Sequence, residues 1–273
     1  MVTRGKKTEE TEIEQSFEMS ETPTLPFWQS PEQIEIGAAE IRVESLKVYK
    51  VRKKQATDVA EILLDEWGWD KSNKENIEGL MIWKNNGSEL VVDEGKIVFY
   101  GQEKGDVENL LAKVDSRFEI LERVPKKQIY PRWITTGEDE AEAWEVRASL
   151  KIDGKQVWSQ EREMAKAVID KEGNLLNLNL VIPFEITEER MVTTRPSSEV
   201  EMSEMKIVAM DGENYEIYAN QIEINKVKIV DSQIVYLYLF DDEWLRPYFL
   251  FDGVTETQVG KVRVRMIAPA YEN

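Results

Sequence analysis

Apolar positions in this chain recur at two spacings, and the switches between them mark out the elements. IRVESLKVYKV (41–51) is rich in β-branched residues and carries Tyr49, which predicts a strand. In TDVAEILLDEWGW (57–69) the spacing changes to the helical period. Val59, Ile62 and Leu63 fall on one face, Asp58 is placed to cap with Glu61 three residues on, and Gly68 stops the helix. LMIWKNNGSELVVDEGKIVFY (80–100) reads as three short strands cut by Asn85-Asn86-Gly87 and Glu94-Gly95. DVENLLAKV (106–114) is helical again, with Val107, Leu110, Leu111 and Val114 at i, i+3, i+4 and i+7.

The second half opens with a meander. EVRASLKI leads through Asp153-Gly154 to VWSQEREMAKAVI, and then through Lys171-Glu172-Gly173-Asn174 to LLNLNLVIPFEI, where Leu176, Leu178, Leu180 and Ile182 alternate. After Pro196 a short helix is expected, with Ser198 and Glu201 as a capping box and Met202, Met205 and Ala209 on one face. IEINKVKIV (222–230), IVYLYLF (234–240), YFLFDG (248–253) and KVRVRMI (261–267) then read as four consecutive strands.

These elements predict an α+β protein of two lobes, each a curved antiparallel sheet with a helix packed across it, an economical way to bury both apolar faces. The lobes span 27–124 and 143–273. Residues 125–142, with two prolines, a glycine and an acidic patch, form the linker. Residues 1–26 are polar and rich in Glu and Thr, and are expected to be a disordered tail dispensable for folding.

Composition narrows the function more than the fold. Of 273 residues, 41% are hydrophobic, and eight Trp, nine Tyr and eight Phe supply ample core. A formal charge of −18 argues against nucleic acid, whose phosphates would be repelled. The chain has no cysteine and no histidine. Disulfides, thiolate nucleophiles, Ser–His–Asp machinery and the usual zinc sites are therefore excluded. No run of about 18 apolar residues occurs, so no membrane span is expected, and the first twenty residues lack a signal-peptide core.

DDEWLRPYFLFDG (241–253) poses a puzzle of its own. Pro247 cannot donate to a ladder, so the run is expected to be an edge strand or to begin after the proline, with Asp241-Asp242-Glu243 as the preceding turn. A strand apolar on both faces is covered on both, or one face awaits a partner. Trp244, Arg246 and Tyr248 are thus either core or partner-binding residues. Lys126 and Lys127 beside Tyr130 and Trp133 make a second basic-aromatic group, suited to an acidic partner, a glycan or plain packing on a lobe.

Residues 144–268, through the helix after RPSSEVEMSEM, the hairpin DKEGNLLNLNLVIPF, DGENYEI, the paired strands IEINKVKIV and IVYLYLF, and LRPYFLFDG, resemble the YycH/YycI group of bacterial envelope regulatory proteins and, more distantly, PepSY-type modules. The resemblance implies an extracytoplasmic protein that binds an envelope protein such as a sensor kinase, with no catalytic residue, metal or cofactor. This chain lacks that group's N-terminal anchor, which keeps a cytoplasmic location open.

The acidic stretches Glu138, Asp139, Glu140 and Glu142, and Asp241, Asp242 and Glu243, read as solvated loops. Two carboxylates about 5–9 Å apart in a cleft would instead suit glycan hydrolysis. No EF-hand, GxGxxG, Walker A or G-x-S-x-G pattern occurs. The expectation is a non-enzymatic envelope-associated regulatory module presenting a sheet edge and an apolar groove to a partner protein. The alternatives are a carboxylate-based glycan hydrolase or glycan-binding protein, and a cytosolic structural protein.

Overall fold

The computed structural model describes residues 33–271 apart from 39, 44, 130–131, 160–162, 212–223, 225, 240–241 and 258–259. Its first elements are β1 (Gln33–Ile36), β2 (Ser45–Lys53), α1 (Ala56–Trp67), β3 (Lys74–Ile77), β4 (Leu80–Asn85), β5 (Ser88–Val92), β6 (Lys96–Glu103), α2 (Val107–Val114), β7 (Phe118–Ile129), β8 (Arg132–Thr135) and β9 (Ala143–Ile152). Then come β10 (Lys155–Ser159), β11 (Ala165–Asp170), β12 (Leu175–Val181), β13 (Phe184–Thr193), β14 (Lys206–Asp211), β15 (Lys226–Tyr238), β16 (Trp244–Thr257) and β17 (Gly260–Pro269). The tail 1–26 lies outside the described residues.

One antiparallel sheet runs β3-β4-β5-β6-β12-β11-β9-β7-β8. Its hairpin between β4 and β5 turns through Asn86 and Gly87, both at positive φ, which gives the tight two-residue turn that matches strand twist. Glu78-Gly79 and Asp153-Gly154 make the same kind of turn before β4 and β10. Both α-helices pack on this sheet. Gly68 ends α1 in the left-handed conformation, and its N–H donates to the Asp65 carbonyl at 3.2 Å. No side chain caps the other end of α1, at Gln55, so Asp58 and Glu61 form no capping box. Asp106 caps α2 by accepting from the Glu108 N–H at 2.9 Å. Leu63, Leu64, Leu110 and Leu111 bury themselves among Leu90, Phe99, Leu178 and Leu180.

The second sheet runs β14-β17-β16-β15, all antiparallel. Residues 226–230 of IEINKVKIV and 234–238 of IVYLYLF, expected in two strands, share the single long strand β15, kinked by a bulge between Ile229 and Asp231. The outer side of β15 takes β1 in parallel along its first part and β10 in parallel along its last. A ribbon of β2 and β13 joins this sheet where Trp244 and Leu245 of β16 pair with Lys50 and Tyr49.

Two lobes with a helix each are therefore not what forms. The strands interleave, since β9, β11 and β12 from the second half are hydrogen bonded beside β6 and β7 from the first. Among the described residues the strands make one mixed, hydrogen-bonded network, and both α-helices sit on its antiparallel part. The stretch after Pro196 makes two 3-10 turns, Ser197–Glu199 and Met202–Glu204, and Ala209 belongs to β14. The capping box there joins Glu201 to Glu204. The physical reason is that both faces of the second sheet already carry apolar clusters, one around Phe249, Phe251 and Val264 and another around Tyr248, Leu250 and Ile267. No helix is needed to bury them.

Charges join the two sheets. Arg147 of β9 reaches Glu145 at 2.8 Å and Glu122 of β7 at 2.9 Å. Arg265 of β17 reaches Asp252 at 3.2 Å, Glu163 at 3.5 Å and Glu122 at 3.7 Å. Buried ions stay charged only when paired in this way.

Candidate functional site

Strand β13 begins in the core and leaves it after one residue. Phe184 is fully buried, with its ring 4.7 Å from that of Tyr238 and the Arg117 guanidinium 5.1 Å above it. Residues 185–191 are then all exposed. Among the described residues the strand is held along its length by β2, from Phe184↔Lys53 to Thr193↔Ser45, and its other side is met where Thr194 bridges Tyr271.

The outer edge of β13 can be worked out from the hydrogen bonds of β2. Within a strand the N–H and C=O of one residue point to the same side, and successive residues alternate. Val51 N–H donates to the Glu243 carbonyl at 2.8 Å, so Val51 faces β16. Lys54 N–H donates to the Pro183 carbonyl at 2.9 Å, and the Lys50 carbonyl accepts from Thr187 Oγ1 at 3.2 Å, so the even residues of β2 face β13. Glu185, Glu188, Arg190 and Val192 are their opposite numbers and turn their amides inward. Ile186, Glu189, Met191 and Thr193 turn theirs outward, with the extra residue Thr187 in a bulge. The Phe184 carbonyl, first in the outward series, is capped by Arg117. Between that cap and Thr194, which bridges Tyr271 on the outward side while the Arg195 N–H donates to the Ala270 carbonyl at 3.2 Å, no described strand takes up the edge.

The side chains divide in the same way. Ile186, Glu189 and Met191 share one face of β13, and Ile186 and Met191 are among the large apolar residues left exposed. Glu185, Glu188 and Arg190 share the other. Each glutamate has one cation: Arg52 at 2.6 Å from Glu185, Lys47 at 2.9 Å from Glu189, and Arg190 at 2.6 Å from Glu188.

The expected site residues lie around one end of this ribbon or away from it. Trp244 is partly exposed, with the Arg190 guanidinium 5.0 Å from its ring and its N–H donating to Asp242 Oδ1 at 2.9 Å. Arg246 is buried and ion-paired with Asp242 at 3.3 Å. Tyr248 is buried, its ring edge-on to Tyr271 at 6.1 Å, and burial pushes its phenol well above the usual range. Trp133 is partly buried in β8, and Tyr130 and Asp241 lie outside the described residues. Lys126 is buried beside Glu145 at 3.6 Å, whereas Lys127 pairs at the surface with Glu140. The structure thus brings Trp244, Arg246 and Tyr248 together on β16, and Trp133 stands on a different sheet.

A cavity of about 380 Å³ opens beside Trp244, lined by Lys50, Lys53, Thr187, Tyr238, Asp242 and Glu243. Its two carboxylates are already engaged, Asp242 with Arg246 and Glu243 with Lys50 at 3.1 Å. Among the described residues no group of acids could hold a metal ion.

Sequence reading missed β13 as an edge because EITEERMVT carries neither period. A run of Glu, Thr and Arg after Pro183 looks like a loop, and only its pairing to β2 makes it a strand.

No protein-family model and no curated protein matches this chain, so its resemblance to the YycH/YycI group finds no family match. A crystal structure of MucB is 11% identical, covers 78% of this chain and 93% of that one, and aligns at a TM-score of 0.14. The complex of MucA and MucB from Pseudomonas aeruginosa is 10% identical, with coverage of 72% and 81% and a TM-score of 0.13. Likeness at that level carries no argument about what this chain does.

Proposed function

We propose that this chain is a non-enzymatic protein-binding module that accepts an extended segment of a partner along the outer edge of β13. The observation that carries the reading is the open edge itself. Ile186, Glu189 and Met191 present outward backbone groups on an exposed strand, next to two exposed apolar side chains on one face. Main-chain pairing supplies affinity in such strand addition, and alternate side chains supply selectivity. The Trp244 corner, with its cavity and the Arg190 contact, lies on the opposite side of β2 and steadies the ribbon. What supports an envelope setting, with an envelope protein or sensor kinase as partner, is the sequence resemblance of residues 144–268. No described helix is long and apolar enough to cross a membrane.

The chain has no cysteine, so one introduced thiol reports one place. Met191→Cys carrying a thiol-linked photocrosslinker should form a covalent adduct with a protein in the native host. Glu75→Cys, on the edge strand β3, should not. Equal adducts at both positions, or none at Met191→Cys, would contradict the reading.

A further inference from the structure

The side chains of β13 say what kind of segment fits its edge. Resting on the strand-addition reading, we infer that the occupant is an extended basic segment in which Lys or Arg alternates with apolar residues. The glutamates of β13 are each held from the β2 side or along the strand by a cation, and their side chains remain about half exposed, at 54% for Glu185, 42% for Glu188 and 57% for Glu189. A carboxylate has acceptor sites for more than one donor. An added strand with cations opposite Glu185 and Glu188, which share one face, continues the pairing begun there by Arg52, and cross-strand pairs of opposite charge stabilise a sheet. On the face of Ile186 and Met191, apolar residues of the added strand would cover both.

The same residues argue against two other occupants. A second copy pairing antiparallel through an axis at Arg190 sets arginine against arginine, and through an axis at Glu189 sets glutamate against glutamate, although Glu188 then faces Arg190. Like charges directly opposite are destabilising, and two copies of net charge −18 repel as they approach. An acidic segment meets three glutamates and one arginine on the strand. A basic one offers Glu185 and Glu188 a second donor and meets complementary charge across the whole molecule.

The test uses the full chain and labelled synthetic peptides of alternating Lys and Val, alternating Glu and Val, and alternating Ser and Val, with affinity read by fluorescence anisotropy. The Lys–Val peptide should bind at least about tenfold more tightly than the other two. Replacing Glu185, Glu188 and Glu189 together by Gln should abolish that preference. Met191→Pro removes one outward N–H without changing charge or a bond to β2, and should weaken the Lys–Val peptide by about tenfold. A Lys–Val peptide N-methylated along one edge makes the same check without altering the protein, and should bind as weakly. If the neutral or acidic peptide binds as tightly as the basic one, the basic occupant is overturned and strand addition stands. If no peptide binds, or if N-methylation and Met191→Pro both leave affinity unchanged, strand addition falls with it.

Discussion

Single residues show how much of DDEWLRPYFLFDG is core. Arg246 and Tyr248 are buried, and Pro247 sits where β16 changes neighbours: Trp244 and Leu245 pair with β2, and pairing with β17 starts at Tyr248. The Pro247 carbonyl accepts from Ala270 N–H at 3.2 Å, so its missing N–H points into the gap between the two neighbours. The proline is thus inside the sheet, at neither an edge nor a strand start, and sequence could not show this because the gap is made by distant strands. Among the described residues the buried Tyr248 hydroxyl has no close hydrogen-bond partner, only the neighbouring Tyr271. Tyr248→Phe should leave stability unchanged or raise it by about 1 kcal/mol, since an unpaired buried hydroxyl is costly, and Tyr248→Ala should cost about 3–5 kcal/mol. Urea unfolding of both variants checks this. Asp115 gives a prediction in pH. Burial alone would raise its carboxyl, but hydrogen bonds from Arg117 and Lys54 outweigh that and hold it at about 2. A depressed carboxyl contributes stability that is present above its unfolded value near 3.8 and lost as pH falls towards 2. Asp115→Asn should lose on the order of 1–3 kcal/mol at pH 7 and show a flatter acid limb in pH-dependent thermal melts.

At the scale of elements, periodicity was readable where one face meets the core. Val107, Leu110, Leu111 and Val114 of α2 are all buried as their spacing implies, and Gly68 stops α1. Periodicity fails for β13, which has no core face beyond Phe184, and for the junction of β10 with β11, which reads as one strand but breaks before Ala165. It also misleads at Gly253, where YFLFDG resembles a strand end. Strand β16 continues to Thr257, and a Cβ at Gly253 would lie 2.4 Å from Val227 Cγ1 and 3.2 Å from the Lys228 carbonyl oxygen. The glycine lets β15 and β16 close together beside the β15 bulge. Gly253→Ala should therefore destabilise by about 1–3 kcal/mol through overpacking, measured as a lowered denaturation midpoint, whereas Gly87→Ala meets no atom and is strained only by its positive φ.

For the whole molecule, the order of strands was the part least legible in the sequence. The hairpins turning at Asn86-Gly87, Asp153-Gly154 and Gly173 were visible, whereas those of β3 with β4 and β7 with β8 were not. The pairings of β6 with β12 and β7 with β9 are long-range, and no local pattern announces them. The charged junction between the sheets gives a global prediction. Burial would raise Glu145, yet Lys166, Lys126 and Arg147 hold it below its ordinary value. Its contribution is thus present above the usual carboxylate range and lost as pH falls through the lowered value. Glu145→Gln should leave the chain less stable at pH 7 and less sensitive to acid, read from melts across pH 3–7. The molecule as a whole is an interleaved network that holds one polar strand at its margin, and its central claim concerns that strand. Amide hydrogen exchange resolved by residue, with and without the alternating Lys–Val peptide, tests it most directly. The account predicts that Ile186, Glu189 and Met191 exchange quickly alone and slow together on binding, while Glu188, Arg190 and Val192, already bonded to β2, change little. Unaltered exchange at the three outward amides, with peptide bound, would contradict it.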